Sequence, residues 1–309
     1  MNSQIWCQGK LVLDAGIDWA QSRAAHYGDG CFTTGVVRQG AWLNGQAHLA
    51  RMDWQMARLK FAPVGYDSWM DAIEPALAAS KAYQQPLVIK LWAIRQGSLG
   101  YQPSPNSAAN IMVSISPMPA GYESDIVQRK MKSIALGVCQ TPATENAALA
   151  GIKHLNRLDC VLARAEVAEA GWDEGVMLDQ HQQLVCATQG NLVWYVQSQF
   201  FSPLLLRSGV AGLGLQTWQS AATTQPWHEV STTVEAMMDA ECVCVCNGVR
   251  GIQWVDSIEL SQTSPLGKGK VITKFNNKQW PDSARKLAED WHNQWLKAFM
   301  GAPALTVRQ

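Results

Sequence analysis

The stretch Ser116-Pro117-Met118-Pro119-Ala120-Gly121 sets the first constraint on this chain. Each proline lacks the backbone donor that a helix interior or a central strand needs, and the glycine adds a further break. Regular structure must stop here and begin again. The chain therefore reads as a smaller domain over residues 1–116, a linker over 117–122 and a larger domain over 123–309. Strand and helix patterns occur on both sides of the break. The expected class is α+β in two domains.

On the first side, residues 4–14 read as a hairpin turning at Gln8-Gly9. Tyr27-Gly28-Asp29-Gly30-Cys31-Phe32-Thr33-Thr34 is a glycine-rich entry into a strand that runs to Val37. Leu49, Met52, Met56 and Leu59 recur at helical spacing over 47–60, and a second helix covers 67–83. Residues 87–94 and 110–115 read as strands, with a Gly/Pro/Ser loop at 97–106 between them. On the second side, strands are expected at 133–138, 174–178, 183–187, 192–196 and 242–245. The end of the chain, 283–299, is an amphipathic helix with Leu287, Trp291, Trp295 and Phe299 aligned.

Composition narrows the class of function. The 309 residues are 47% hydrophobic and 16% charged, which suits a folded protein with a sizeable core. Lys+Arg and Asp+Glu are both 25, so no net field draws nucleic acid or an anionic membrane. No apolar run approaches the ~20 residues of a membrane span, and the start lacks the apolar core of an export signal. A soluble, cytoplasmic protein is expected, with its 8 cysteines reduced. Cys242, Cys244 and Cys246 alternate on one strand face, too crowded for four-coordinate zinc, and read as small core residues. No metal site is expected.

Ala148-Leu149-Ala150-Gly151-Ile152-Lys153-His154-Leu155-Asn156-Arg157-Leu158 carries the chemistry. Asn156 is a good helix N-cap. Leu155, Leu158, Leu162, Ala165 and Ala168 follow at helical spacing, and Gly171 ends the run. A lysine beside the positive end of a helix dipole has its charged form disfavoured, and a neutral amine is what Schiff-base chemistry needs. A solvated surface lysine fits the same pattern. Arg51 reads as a phosphate clamp or as a surface helix residue. Gly209-Val210-Ala211-Gly212-Leu213-Gly214 reads as a phosphate cradle or as a plain helix entry. Cys246-Asn247-Gly248 is a turn that could meet an anion.

Taken in order, these pieces resemble the fold-type IV pyridoxal-phosphate enzymes, the family of branched-chain and D-amino-acid aminotransferases. Within it, Gly28-Asp29-Gly30-Cys31-Phe32-Thr33-Thr34 and Ala150-Gly151-Ile152-Lys153-His154-Leu155-Asn156-Arg157-Leu158 are most similar to the aminodeoxychorismate lyases. The resemblance covers nearly the whole chain. It implies pyridoxal 5'-phosphate held covalently by Lys153, with Arg51, the backbone of Leu213 and Gly214, and Asn247 with Gly248 on the phosphate. It implies Tyr27, Thr33, Thr34 and Arg95 on the substrate side, and a homodimer. The implied reaction converts 4-amino-4-deoxychorismate to 4-aminobenzoate and pyruvate, a step toward folate. Two departures stand out. Cys186 occupies the place where the family has a glutamate that pairs with the pyridine nitrogen. The loop Arg95-Gln96-Gly97-Ser98-Leu99-Gly100-Tyr101 lacks the second arginine of the lyase pattern. A related aminotransferase and a weakly active cofactor-binding homologue therefore remain open.

Overall fold

A computed structural model describes residues 3–12, 21–119, 130–259 and 278–308. The chain divides into two units. The first comprises Met1–Val127, Ile152–Asn156 and Phe299–Gln309; the second comprises Gln128–Gly151 and Arg157–Ala298.

In the first unit, strands β1 (Gln4–Cys7), β2 (Lys10–Leu11), β3 (Gly30–Arg38), β4 (Ala41–Trp42), β5 (Leu87–Arg95) and β6 (Ala109–Pro117) form an antiparallel sheet in the order β2-β1-β6-β5-β3-β4. The β1–β2 turn is the expected one, with Gln8 and Gly9 both at positive φ. Such turns match the twist of the flanking strands. Helices α1 (Arg23–Tyr27), α2 (Gly45–Arg58) and α3 (Tyr66–Ser80) complete the unit. Alternation along β3 and β5 puts Cys31, Val37, Ile89, Leu91 and Ala93 on one face, buried with Leu49, Met52 and Met56 of α2 and Trp69, Ile73 and Leu77 of α3. Phe32, Thr34, Lys90 and Trp92 lie on the opposite face and are only half-buried.

The lysine stretch was expected in the larger second domain. It groups instead with the first unit, because its backbone pairs with β3. Phe32 N–H donates to Lys153 O at 2.9 Å, Leu155 N–H donates to Gly30 O at 3.0 Å, and Cys31 bridges His154. The tail returns there too, with Leu305 and Trp42 exchanging backbone hydrogen bonds of 2.8 and 3.1 Å. The expected linker begins one residue too early, since β6 continues to Pro117; residues 120–122 lie outside the described residues.

The second unit holds β7 (Ser133–Val138), β8 (Glu174–Leu178), β9 (Leu184–Ala187), β10 (Asn191–Val196), β11 (Gln199–Pro203), β12 (Trp227–Val230), β13 (Cys242–Asn247), β14 (Gly251–Glu259) and β15 (Lys278–Gln279). They form a nine-stranded mixed sheet ordered β12-β11-β10-β13-β14-β7-β8-β9, with β15 on β14. Its helices are α4 (Leu158–Ala170), α5 (Leu213–Ala221), α6 (Val234–Met238) and most of α7 (Asp282–Gly301). Tyr195, Phe200, Trp218, Trp227 and Trp291 pack with ring centroids 4.9 to 5.9 Å apart. Edge-on and tilted pairs of this kind add to area burial. On α7, Trp291, Trp295 and Phe299 are buried as expected, whereas Leu287 is exposed.

Helix α4 turns its apolar stripe outward. Leu158, Val161 and Leu162 are 76%, 60% and 58% exposed, and Ala165 and Ala168 are exposed with them. Ala163 and Val167 are the buried residues. Its charged side chains bond the unit's own backbone: Asp159 accepts from Thr144 N at 3.0 Å, Glu166 from Gln140 N and Thr141 N at 2.6 and 2.9 Å, and Arg164 donates to Asp173 O at 3.1 Å. All eight cysteines are free thiols, and no cluster of metal-binding side chains occurs among the described residues. No described helix is long and apolar enough to cross a membrane.

Candidate active site

In the first unit the site is built by the close fit of residues 152–156 against the start of β3. Gly28 caps α1 in the left-handed region, at φ 60°. A Cβ there would strike the side chain of Asn156, with Cγ at 2.7 Å, and one on Gly30 would strike Ala93 O at 2.5 Å and Leu155 at 2.9 Å. The Gly-Asp-Gly entry is thus the space into which the lysine stretch fits. Asn156 is no N-cap: Arg157 precedes α4 without a side-chain cap, and Asn156 donates to Gly28 O at 3.3 Å. Lys153 therefore does not adjoin a helix start. It lies on a strand-like segment with its Nζ 4.6 Å from the centre of the Phe32 ring.

Lys90 shares that ring. Its Nζ is 4.5 Å from Phe32 and 4.7 Å from Trp92, and no acidic group or hydrogen-bond acceptor meets it among the described residues. Burial lowers its pKa. Thr34 is its cross-strand partner on the same half-open face. Sequence reading missed Lys90. The signal was there: a lone lysine alternating with Leu87, Ile89, Leu91 and Ala93 must face away from the core.

Arg51 reaches β3 from α2. Its Nη2 donates to Thr33 Oγ1 at 2.8 Å, its Nε is buried with no partner among the described residues, and burial draws its pKa down to about 10. A guanidinium with a buried unused donor, and with no carboxylate beside it among the described residues, is suited to an anion. Thr33 was expected to line the substrate. It is fully buried and faces the core, with Oγ1 2.6 Å from His48 Nδ1. Adjacent residues of one strand face opposite sides, so Thr33 and Thr34 cannot both line one surface.

Arg95 was also expected on the substrate side. Its Nε donates to Asp29 at 3.0 and 3.1 Å, Nη1 to Lys60 O at 3.0 Å and Nη2 to Leu59 O at 2.5 Å, and Cζ lies 3.9 Å above Phe61. These commitments hold it in the fold and remove it from the substrate set. Asp29 also binds Arg23 Nε at 2.8 Å, and Arg23 grips Ser98 O and Gly100 O at 2.9 and 2.6 Å. Tyr27 OH accepts from Gly100 N at 2.8 Å. Tyr27 and Arg23 thus shape the loop after β5.

In the second unit, Gly212 precedes α5 without a side-chain cap, leaving the first-turn N–H groups of Leu213 and Gly214 at the positive end of the helix. A Cβ on Gly214 would strike Asn247, 2.5 to 2.8 Å from its backbone atoms. Gly214 O accepts from Trp295 Nε1 at 2.8 Å. The Asn247 side chain closes its own turn, accepting from Val249 N and Arg250 N at 2.9 and 2.8 Å and donating to Gln189 O at 3.1 Å. Gly248 follows it in that turn, and the helix start packs closely against the β13 end. Cys186 lies on β9, opposite Met177. Burial, with the Cys160 thiol adding to it, pushes the Cys186 thiol far above its usual range, so it stays neutral.

The profile of the amino-transferase class IV family matches residues 30–258, and the chain belongs to that family. Its fold is the two-domain α+β fold-type IV arrangement. An aminodeoxychorismate lyase of Vibrio harveyi is 30% identical over 254 residues, covering 80% of this chain and 90% of that protein. The crystal structure of 4-amino-4-deoxychorismate lyase from Pseudomonas aeruginosa matches at TM-score 0.76 and 29% identity, over 94% of this chain and 98% of that one. A hypothetical aminotransferase from Mycobacterium tuberculosis, in its PLP-bound form, shares the fold at TM-score 0.74 and 16% identity, over 98% of this chain and 100% of that one.

Proposed function

We propose that the chain is a pyridoxal-phosphate-dependent lyase that converts 4-amino-4-deoxychorismate to 4-aminobenzoate and pyruvate. The observation that carries the reading is the presence, in one unit, of Lys153 over the Phe32 ring and of a half-buried Arg51 whose buried Nε has no partner among the described residues. The 30% identity to a lyase supports the choice of reaction. The residues of the first unit fit the cofactor: Arg51 is suited to a phosphate and Lys153 to an aldehyde. In the second unit, taken by itself, the uncapped start of α5 is also suited to a phosphate.

When bound, the cofactor supplies an electron sink at the carbon bearing the substrate amine. Lys153 Nζ takes the proton from the ring carbon and returns one to the departing enolpyruvyl group, giving pyruvate. Thr34 lines the face that carries Lys153. Lys90, cationic and met by no acid among the described residues, holds a substrate carboxylate in place of the arginine missing from the 95–101 loop. We assign the exposed α4 stripe to a second copy of the chain, making a homodimer. Gain of aromaticity drives the elimination forward.

The test is a lyase assay with added cofactor. Release of 4-aminobenzoate, lost in Lys153→Ala together with the visible band of the lysine-bound cofactor, is the expected result. No band in the unaltered protein would sink the reading. Amine transfer that depends on an added keto acid, without 4-aminobenzoate, would move the assignment to an aminotransferase. The neutral Cys186 favours a further reading, a weakly active relative; a clear band with no turnover of any amine would establish it.

A further inference from the structure

Helix α2 turns three polar side chains toward β3 and the lysine stretch: His48, Arg51 and Gln55, spaced three and four residues apart on one face. A helix laid on a sheet normally presents an apolar stripe, so this seam calls for a cause. Gln55 is fully buried. Its Oε1 accepts from the Lys153 backbone N–H at 2.6 Å, while among the described residues its Nε2 reaches only the Met52 sulfur at 3.4 Å, a weak acceptor. A methionine would fill the same space without burying an amide. His48 is 1% exposed, and its Nδ1 lies 2.6 Å from Thr33 Oγ1. Arg51 can only donate, so Thr33 Oγ1 accepts from it; His48 Nδ1 takes the hydroxyl hydrogen or donates to the second lone pair, according to its tautomer. The imidazole is neutral, because burial together with the Arg51 charge holds its pKa well below the usual value.

We infer that this seam is a positioning device with two arms: Gln55 fixes the backbone of Lys153, and His48, acting through Thr33, fixes the guanidinium of Arg51. The inference rests on the proposed function, in which Lys153 takes the aldehyde and Arg51 the phosphate of the cofactor. Gln55 and Thr33 touch neither. Because the arms serve different groups, they separate experimentally.

The experiment compares Thr33→Val, Thr33→Ser and Gln55→Met with the unaltered protein. It measures dissociation constants for pyridoxal phosphate and for pyridoxal, read from the visible band, and the rise in melting temperature given by inorganic phosphate. Urea unfolding checks that each variant is folded. Thr33→Val weakens pyridoxal phosphate roughly tenfold, in line with a hydrogen bond to a charged group, and leaves pyridoxal within about twofold. It also reduces the phosphate-induced rise, and Thr33→Ser restores both. Gln55→Met weakens both aldehydes by the same factor and leaves the phosphate-induced rise intact. Equal effects of Thr33→Val on the two aldehydes, failure of Thr33→Ser to rescue, or a Gln55→Met effect confined to the phosphorylated form would overturn the inference. An unaltered protein that shows no band with either aldehyde sinks the cofactor reading itself. The phosphate-induced rise then still decides the Arg51 arm, which fails if Thr33→Val and Thr33→Ser behave alike.

Discussion

Position 186 holds a neutral thiol where the resemblance calls for a carboxylate. A carboxylate beside a pyridine nitrogen holds it protonated, and a charged partner is a far stronger one than a thiol. Cys186→Glu is therefore expected to raise lyase turnover at saturating cofactor by about tenfold, or about 1.4 kcal/mol in the barrier. No gain in a folded variant would sink the placement of Cys186 at the ring. Lys90→Met tests the proposed carboxylate contact. It keeps the chain's bulk over Phe32 and removes the charge, so KM should rise by about tenfold with the spectrum of the bound cofactor unchanged. An unchanged KM would remove Lys90 from the substrate. Residue by residue, the sequence was legible enough to single out Lys153 and Arg51 by motif, their roles being those of the proposed function. It was less so where a side chain's face decides its role. Thr33 and Arg95 have the right chemistry for a substrate contact, but strand parity turns Thr33 inward and Asp29 claims Arg95. Gln55 drew no notice because a polar residue between Met52 and Met56 looks like a surface position until the helix is laid on the sheet.

Among the elements, strands and helices with a clear period were readable: β3, β5, β6, α2 and α3 lie within a few residues of their expected spans. The helix after Lys153 was readable as a helix, but its direction was not. Periodicity shows that Leu158, Leu162, Ala165 and Ala168 share a face; it does not say whether that face meets the chain's own core. In the folded chain Asp159, Glu166 and Arg164 of α4 turn inward to backbone groups, and the leucines turn out. A solvated helix does the reverse, and a contiguous apolar face marks a contact surface. If a second copy covers it, Leu158→Glu with Leu162→Glu would bury two unpaired charges in the interface. Light scattering at micromolar concentration should then show a dimer for the unaltered chain and a monomer for the double variant, with circular dichroism unchanged. A monomeric unaltered chain, or a variant that still dimerises, would remove the assignment.

For the molecule as a whole, the buried titratable groups set a window of stability. His48 is held neutral, its pKa pulled well below the usual value by burial and by Arg51. The unfolded chain binds that proton below about pH 6.5 and the folded chain does not, so stability falls with falling pH by up to about 1.4 kcal/mol per unit. The thiols act at the other end. Burial raises Cys31 and Cys139 to about 12, and raises Cys244 and Cys246 as well. Their protons stay bound in the folded state but leave the unfolded chain above about pH 8.5, so each fully buried thiol subtracts up to about 1.4 kcal/mol per unit there. With several thiols acting together, the alkaline limb should be the steeper one. Urea midpoints measured from pH 5 to 10, a scan that spans both reference values, should form a plateau falling away on both sides. The shoulder between about pH 6.5 and 5 should flatten in His48→Gln, because carboxylates, with reference values near 4, add to the acid limb only lower down. A midpoint constant through the alkaline range would mean that the thiols titrate alike in both states, and that β13, where Cys244 and Cys246 stand, is open to solvent.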